Sequence, residues 1–320
     1  MVAPRVHVPR TVKNMVTAAL VKELRERSGA GMSACKDALV EANGDLDRAS
    51  EILREKGLAA AAKKAGRIAS EGLVKCIVAA DQKTGAVVEV NSETDFVAKN
   101  QDFIDYVTQV AELALTSNAT DMDAFMAQPW PHAAGESVQE ALNHKIAIIG
   151  ENVGIRRFTR YTAGENGVIV NYTHGGGRVT VMLEMASTVV NDALLEAGRN
   201  MCMQAAAMSP QFVSQKDISE EFITQEKAIL VQQAVNEGKA ANIAEKVVEG
   251  RLRKSLSAMC LMDQEYVKDG EFTCAQYMEA VGKELGAPVS VVRFVRYETG
   301  EGIEKKEEDF AEEVMKAMGN

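Results

Sequence analysis

The 320-residue chain is long enough for two or more domains, and its hydrophobic share of 46 % is typical of globular cores. Its formal net charge of −10 argues against a dedicated nucleic-acid binder, because such affinity depends on basic contacts to phosphate. The sequence has no apolar run of about 18 residues that would predict a membrane span, no signal-peptide pattern, and five cysteines without a Cys-x-x-Cys pair, which predict reduced core thiols rather than a disulfide framework.

The first 16 residues contain Arg5, Arg10 and Lys13 but no acidic residue. This composition predicts a disordered N-terminal extension over residues 1–16, and the alternative is a fragment of an organelle-targeting segment. Because the stretch is short and lacks serine, we expect a cytoplasmic protein rather than one of an organellar matrix.

Residues 17–57 predict a bundle of three short helices. Thr17 is a good N-cap for the first helix, which a Gly-Ala-Gly turn ends. Ser33 is expected to cap the second helix, and an Asn-Gly-Asp turn leads into a third helix that stops at Gly57. The apolar side chains available for one small core are Leu20, Leu24, Met32, Leu39, Leu46, Ile52 and Leu53. Three helices of this length resemble a ubiquitin-associated domain.

Met32 lies at the loop between the first two helices of this bundle. A flexible thioether suits an adaptable contact surface at such a position. The alternative is that Met32 fills the interior of the bundle, and the pattern alone leaves both readings open.

Residues 58–70, with four consecutive alanines before two lysines, predict a helical linker. Core module 1 is expected over residues 71–150. It begins with two strands of a hairpin, at residues 73–79 and 86–90. Near its end, a Ser-x-x-Glu capping box at Ser137 predicts the start of another helix.

Between the hairpin and a following helix, Ser92 and Thr94 are both N-cap candidates, and Asp95 in the first turn suits the helix dipole. Phe96 is not explained by capping. Its ring either enters the core or projects from the corner as a wedge, and since most aromatic side chains are buried, the residue type alone favours the core. The apolar stripe of the following helix consists of Phe103, Val107, Val110 and Ala114.

Core module 2 is predicted over residues 151–210 and 257–300, and it contains an internal repeat. Residues 157–165 and 293–301 are identical at six of nine positions. Each copy predicts a strand followed by a Gly-Glu turn. The two are either neighbouring strands of one sheet or equivalent strands of two related sheets.

Another hairpin is predicted around the tetrapeptide that begins at His174 and continues with three glycines. Such a loop is typical of an esterase oxyanion hole, but the chain contains no Gly-x-Ser-x-Gly nucleophile elbow. The hydrolase class is therefore excluded. As a single histidine beside a turn, His174 is otherwise an ordinary exposed residue.

Residues 211–256 predict an inserted antiparallel helical hairpin, with helices at 219–237 and 243–256. Because it lies between the two parts of core module 2, it is expected to project as an arm. The apolar seam is predicted from Phe222, Ile229, Leu230, Ile243, Val247 and Leu252.

Residues 301–320 predict a C-terminal helical module, an acidic amphipathic helix with Phe310, Val314 and Met318 on one side. This helix docks either on another protein or on its own core.

Three segments of the chain are similar to the elongation factor Ts family. They are LVKELRERSGAGMSACKDAL at 20–39, TDFVAKN at 94–100 and GEGIEK at 300–305. Their order and separation extend the resemblance over nearly the whole chain. The family is the guanine-nucleotide exchange factor of the translational GTPase elongation factor Tu, and this resemblance implies elongation factor Tu as partner.

The resemblance also implies roles for individual residues. Thr94, Asp95, Phe96 and Val97 match the segment that dislodges magnesium from the nucleotide site of the partner. Met32 and His174 match partner-facing positions. Phe310, on the predicted C-terminal helix, is a further candidate for partner binding.

The sequence as a whole therefore predicts an α+β protein: a ubiquitin-associated-like three-helix domain, two α+β core modules with antiparallel sheets, an inserted helical hairpin and a C-terminal helix. It lacks a phosphate-binding loop and clustered metal ligands, so we expect no enzyme, no cofactor and no metal site. It predicts a translation elongation factor that promotes GDP release from elongation factor Tu, without direct contact to nucleic acid or membrane. A homodimer or a heterotetramer through the helical hairpin is left open, and the alternative function is a non-catalytic ubiquitin-associated-type adaptor.

Overall fold

The computed structural model describes residues 16–133, 135–238 and 241–304. For residues 241–246 it describes the backbone only. The fold is α+β, as predicted. Its helices are α1 Ala18–Ser28, α2 Met32–Glu41, α3 Leu46–Lys64, α4 Asp95–Ala98, α5 Gln101–Thr116, α6 Met122–Met126, α7 Val138–Ile149, α8 Asp192–Met208, α9 Glu220–Asn236, α10 Ala241–Met259 and α11 Cys274–Leu285. Its strands are β1 Glu71–Val78, β2 Thr84–Ser92, β3 Val153–Thr162, β4 Gly167–His174, β5 Val179–Ser187, β6 Glu265–Tyr266, β7 Asp269–Thr273 and β8 Val289–Glu298.

The strands form two three-stranded sheets, of order β1-β2-β3 and β4-β5-β8, and a two-stranded sheet β6-β7. In the second sheet β5 pairs antiparallel with both β4 and β8. The two copies of the repeated nonapeptide begin in β3 and in β8, each next to the central strand of its sheet. They are therefore equivalent strands of two sheets and not neighbours.

The chain divides into two compact units. Unit 1 comprises Met1–Leu73, Glu89–Arg157 and Thr299–Asn320, and unit 2 comprises Val74–Val88 and Phe158–Glu298. Each unit is therefore assembled from segments that are far apart in the sequence.

In unit 1, helices α1 to α3 form the predicted bundle. Thr17 caps α1, and Gly29 ends it with a φ of 66°. The prediction for α2 was wrong at its start, because Gly31 and not Ser33 occupies the N-cap position. The bundle core consists of Val21, Leu24, Cys35, Ala38, Leu39, Ala42, Ala49, Ile52 and Leu53.

The prediction that the third helix stops at Gly57 was wrong, because α3 continues to Lys64. Gly57 is buried where α3 packs on α7, and a Cβ added there would lie 3.0 Å from Cδ2 of His144. The glycine thus permits a close approach of two helices instead of ending one. Near the end of α3, Nζ of Lys64 also donates to the carbonyl of Ile146 at 3.2 Å.

In unit 2, α8 and α11 pack on the sheet β4-β5-β8. Gly198 of α8 faces Val170, to which an added Cβ would approach within 2.7 Å, so the helix lies close to the strands. The buried members of this core are Val168, Val170, Val181, Leu183, Met185, Leu194, Met201, Cys202, Ala205, Leu261, Tyr266, Cys274, Met278 and Val291.

Helices α9 and α10 of unit 2 form the predicted antiparallel hairpin. Its buried seam consists of Leu230, Ala234 and Val248, with Leu252 partly buried. The prediction for Ile229 was wrong, because its side chain is 53 % exposed and faces away from the seam. Ile243 belongs to the residues whose side chains lie outside the described part.

All five cysteines are free and buried, as the sequence predicted. Burial raises the pKa of Cys76 and of Cys274 to about 12, and that of Cys260 to about 11. These thiols are therefore protonated and unreactive at neutral pH. Of the helices that the structure describes, none combines the length and the apolar character needed to cross a membrane.

Candidate functional site

The segment from Ser92 to Asn100 forms a corner between a strand and two consecutive helices of unit 1. Strand β2 ends at Ser92, and Thr94 caps the single-turn helix α4 by accepting from the backbone N–H of Val97 at 3.4 Å. Helix α4 ends at Ala98. Asn100 then caps α5 by accepting from the N–H of Asp102 at 2.8 Å. The sequence predicted one cap and one helix, whereas the structure has two of each.

The base of the corner is fixed by Glu151, which follows α7. Its carboxylate accepts from the Thr94 hydroxyl at 2.7 Å and from the Thr94 backbone N–H at 3.1 Å. The Ser92 hydroxyl donates to the carbonyl of Thr94 at 3.1 Å. These bonds hold the backbone of the corner before any partner is present.

A neighbouring carboxylate strengthens the same attachment. Glu93 accepts from the backbone N–H of Asn152 at 2.5 Å and from Nη1 of Arg67 at 3.4 Å. The corner is therefore bound both to the 151–152 turn and to the segment that follows α3.

The side chain of Phe96 projects from this fixed base. It is 81 % exposed, whereas Ala98, on the other side of the same helical turn, is buried. Of the two readings that the sequence left open, the structure supports the projecting ring. A free aromatic side chain on a rigid turn has the form of an interface anchor.

Beside the ring, Asp95 accepts a hydrogen bond from Nζ of Lys99 at 2.6 Å, one helical turn later. This bond is the main reason why the pKa of Asp95 lies below its ordinary value. The carboxylate is consequently ionised at neutral pH and lies at the surface, where it is available to a cation or to basic groups of another protein. Val97 is only partly buried, and its N–H takes part in the Thr94 cap.

Met32, in the bundle of unit 1, is the first residue of α2. Its side chain is 50 % exposed, and it does not belong to the buried core of the bundle. The reading in which Met32 fills the interior was therefore wrong. The residue is available for an external contact, and whether it makes one stays a prediction.

His174 is in unit 2, at the end of β4. The side chain is exposed, and its Nδ1 lies 3.1 Å from the hydroxyl of Tyr172. The three glycines that follow all have positive φ, at 59°, 66° and 103°, which explains why this tight turn uses glycine. Phe310, the remaining predicted contact, lies outside the described residues.

Sequence reasoning missed a buried carboxylate in β2, that of Glu89, six residues before Asp95. Glu89 is fully buried, and Arg156 and Arg157 donate to it from β3 at 3.0 and 2.5 Å. The backbone N–H of Gly300 donates to the same carboxylate at 2.8 Å. We call these four residues the Glu89 cluster. A single acid within the apolar run of a strand was the signal that could have revealed it.

A corresponding arrangement lies within unit 2, with its arginine from the second copy of the repeat and its glycine from the first. Glu184 of β5 is 4 % exposed and accepts from Nε of Arg293 at 2.7 Å. The backbone N–H of Gly164 donates to it at 2.9 Å. We call these three residues the Glu184 cluster. In the repeat, Arg293 corresponds to Arg157 and Gly164 to Gly300, so the same chemistry occurs twice.

Within the described residues, no group of three or more histidines, cysteines and acids could hold a metal ion. The corner is thus a surface that can act on a site of another molecule, since it offers an ionised acid and a projecting ring on a fixed backbone.

Comparison with known proteins adds an independent result. The family described as "Elongation factor TS" matches residues 93–301, which include the corner apart from Ser92 and both repeat copies. The elongation factor Ts of Clostridium perfringens is 50 % identical over 305 residues, covering 95 % of this chain and 100 % of the relative. The elongation factor Ts proteins of Clostridium botulinum (strain Eklund 17B) and Clostridioides difficile are 49 % and 47 % identical, each over 95 % of this chain and over 100 % and 99 % of their own lengths.

Proposed function

Since this chain belongs to the elongation factor Ts family of translation elongation factors, we propose that it binds elongation factor Tu·GDP and promotes the release of GDP. The freed site of elongation factor Tu then takes up GTP. In this function the chain is an exchange factor and makes or breaks no covalent bond.

The observation that carries the proposal is the 81 % exposure of Phe96 beside the ionised Asp95. A carboxylate would bind the phosphates of a nucleotide poorly, because both are anionic. It can instead disturb the magnesium ion or the basic groups that hold those phosphates. Phe96 supplies the apolar contact that keeps the carboxylate in place.

Thr94 and Val97 have a supporting role in this proposal. The Thr94 hydroxyl caps α4 and also binds Glu151, so it fixes the direction in which Asp95 and Phe96 point. Val97 donates its backbone N–H to that cap and adds a partly exposed apolar side chain next to the ring.

Thermodynamic linkage requires more contacts than the corner alone. If the factor weakens GDP binding by some ratio, GDP must weaken the binding of the factor by the same ratio. A ten-thousand-fold effect corresponds to about 5.5 kcal/mol of differential binding, more than one ring and one carboxylate supply. We therefore propose that Met32, His174 and Phe310 add contacts to elongation factor Tu.

We propose that the protein acts in the cytoplasm and not in an organellar matrix. A homodimer or a heterotetramer through helices α9 and α10 remains a prediction. The adaptor function, which rests on the three-helix bundle alone, would leave the exposed corner without a role.

The direct test measures the release of labelled GDP from elongation factor Tu with and without this protein. We expect a strong acceleration by the wild type, and a much smaller one by the Phe96→Ala variant. Calorimetry with the isolated protein should detect no binding of GDP or GTP. An unchanged release rate together with tight binding through the bundle would favour the adaptor instead.

A further inference from the structure

Helix α4, which carries Asp95 and Phe96, is a single turn that its own residues stabilise only weakly. It spans four residues, and of these only Ala98 is buried. The bond from the backbone N–H of Ala98 to the carbonyl of Thr94 measures 3.4 Å, and the cap from the N–H of Val97 to Oγ1 of Thr94 is equally long. Because the first turn of a helix costs more conformational entropy than its bonds return, a turn of this length requires support from outside.

The next helix, α5, shows the contrast. A side chain, that of Asn100, also caps its first turn, but α5 runs for 16 residues. Its buried face consists of Phe103, Tyr106, Val107, Val110, Ala111 and Ala114. The packing of this face holds α5 in place independently of the cap. Helix α4 has no such face, so its geometry depends on the groups that bind Thr94.

Glu151 binds Thr94 at two atoms. Its Oε1 accepts from the hydroxyl at 2.7 Å, and its Oε2 accepts from the backbone N–H at 3.1 Å. A threonine hydroxyl has one proton, and the direction in which that proton is donated fixes where the lone pairs of the oxygen point. Since the proton is donated to Glu151, a lone pair of the same oxygen is free to accept from the N–H of Val97. The carboxylate therefore sets the orientation of the cap, and through it that of α4.

The residues on both sides of Glu151 are anchored as well. Gly150 ends α7 with a φ of 85°, and its N–H donates to the carbonyl of Ile146 at 3.0 Å. On the other side, Nδ2 of Asn152 donates to the carbonyl of Arg67 at 2.7 Å. The carboxylate is thus presented to the corner from a fixed stretch of backbone. It loses little conformational freedom when it binds there, so its bonds contribute more to the order of α4.

We propose that Glu151, which lies 57 residues from Thr94 in the sequence, is a positioning residue of the exchange reaction. It orients the hydroxyl that caps α4, and thereby the directions of Asp95 and Phe96, before elongation factor Tu binds. The partner then meets an ordered turn, and none of the binding free energy is lost in ordering it. This inference rests on the proposed function and extends it to a residue whose action on the partner is indirect.

The variant Glu151→Ala of the full-length chain tests the inference, with Glu140→Ala as its matched control. Glu140 makes the same pair of bonds at the other end of α7, where it accepts from the hydroxyl of Ser137 at 3.0 Å and from the backbone N–H of Ser137 at 2.8 Å. Removal of either carboxylate should lower the melting temperature comparably. We expect Glu151→Ala to lower the kcat/KM of GDP release per folded molecule by about tenfold, as for the loss of a helix cap, and Glu140→Ala to leave it unchanged.

Two further readouts separate positioning from stability. In a chain that already carries Asp95→Ala and Phe96→Ala, the change Glu151→Ala should lower kcat/KM by less than about twofold, because residues that act as a unit are not additive. The second readout needs no partner, since it measures hydrogen exchange of the backbone N–H of Val97 in the isolated protein. This N–H should exchange faster in Glu151→Ala than in the wild type, and at the wild-type rate in Glu140→Ala.

If Glu151→Ala fails to fold in a thermal melt, Glu151→Gln replaces it in the same measurements, since its amide has one acceptor oxygen in place of two. Nucleotide release equal to that of Glu140→Ala would overturn the inference alone. So would an effect of Glu151→Ala that persists in full without Asp95 and Phe96, as expected of a purely structural role. A wild type that does not accelerate GDP release would instead refute the proposed function, and the inference with it.

Discussion

Phe96 and Phe103 lie seven residues apart on consecutive helices, and the first side chain is 81 % exposed while the second is fully buried. Both follow the same strand, and both are phenylalanines in helical turns opened by a side-chain cap. The pair therefore separates the two tasks of an aromatic side chain within one short segment: Phe103 contributes to the core, and Phe96 is free for a partner.

Truncation of the two rings should have opposite consequences. We expect Phe96→Ala to lower binding or exchange by about 1–3 kcal/mol while its melting temperature stays close to that of the wild type. Phe103→Ala should cost about 3–5 kcal/mol of unfolding free energy through the cavity it leaves, with normal exchange per folded molecule. A thermal melt and a GDP-release assay on both variants check this. A badly destabilised Phe96→Ala with normal exchange would refute the projecting role of the ring.

Asp95→Ala should slow GDP release without unfolding the protein, because the carboxylate is exposed and its main partner is Lys99. If Asp95 acts on the magnesium ion of the partner, its loss should matter less once that ion has been removed by a chelator. The assay is therefore run with and without chelator. Equal loss under both conditions would show that Asp95 does not act through the metal.

The ionisation of Asp95 should contribute no pH dependence to the exchange rate near neutral pH. Because Lys99 lowers the pKa of this carboxyl in the folded protein, the charge is present above the ordinary value and is lost only as the pH falls through the lowered one. Lys99→Met should move the titration of Asp95 upward, as seen by NMR, and yet leave it ionised at pH 7. A Lys99→Met variant whose exchange falls steeply between pH 8 and pH 6 would contradict this.

Thr94→Val should loosen the corner, since it removes the α4 cap and the bond from the Thr94 hydroxyl to Glu151. We expect about 1 kcal/mol of lost stability and a clear loss of exchange. Thr273→Val is the matched control, because Thr273 caps α11 in the same way, at 3.2 Å from the N–H of Gln276. The control should show a comparable shift in melting temperature with unchanged exchange, and equal exchange in both variants would argue against a positioning role of Thr94.

Gly57→Ala and Gly250→Ala should change stability in opposite directions, although both glycines are helical. At Gly57 the new methyl group meets His144 at 3.0 Å. We expect this overpacking to lower the free energy of unfolding by about 1–3 kcal/mol, which outweighs the gain in helix propensity. At Gly250 of α10 nothing lies within 4 Å, and alanine should stabilise by about 0.5–1 kcal/mol. Denaturant unfolding of both variants measures the difference. A stabilising Gly57→Ala would mean that α3 and α7 separate easily.

The hairpin of α9 and α10 should be removable above its base. Phe222 and Leu256 pack with Cys260 at that base, so we expect a variant in which a short loop replaces residues 227–250 to keep a folded core. Exchange should fall only in part, whereas self-association, measured by light scattering, should suffer more. Replacement of all residues from 219 to 256 is the contrasting variant, and it should be less stable because it uncovers Cys260. A shortened variant that unfolds would show that the whole hairpin supports the core.

Features with a local cause could be predicted from the sequence. The stripe Phe103, Val107, Val110 and Ala114 is fully buried, and Ser137 forms the predicted capping box with Glu140. Both depend on spacings of three or four residues. The hairpin β4–β5, predicted around the turn at His174, is likewise a local feature.

Features with a distant cause could not be predicted. Gly57 packs against His144 of a distant helix, and the burial of Glu89 depends on arginines and a glycine from other segments. The exposure of Phe96 opposes the usual preference of its residue type, so the residue type alone could not predict it. The short sheet β6-β7 was missed as well, because its strands are brief and mostly exposed.

The spacing within the Glu89 cluster also orders events during synthesis of the chain. Arg157 is made 68 residues after Glu89, but Gly300 only 211 residues after it. A nascent chain can therefore pair the carboxylate with its arginines early, while the backbone donor is translated much later. Contacts of such separation form late and slow the folding of a chain. Unit 1 is thus completed only after the whole of unit 2 has been translated.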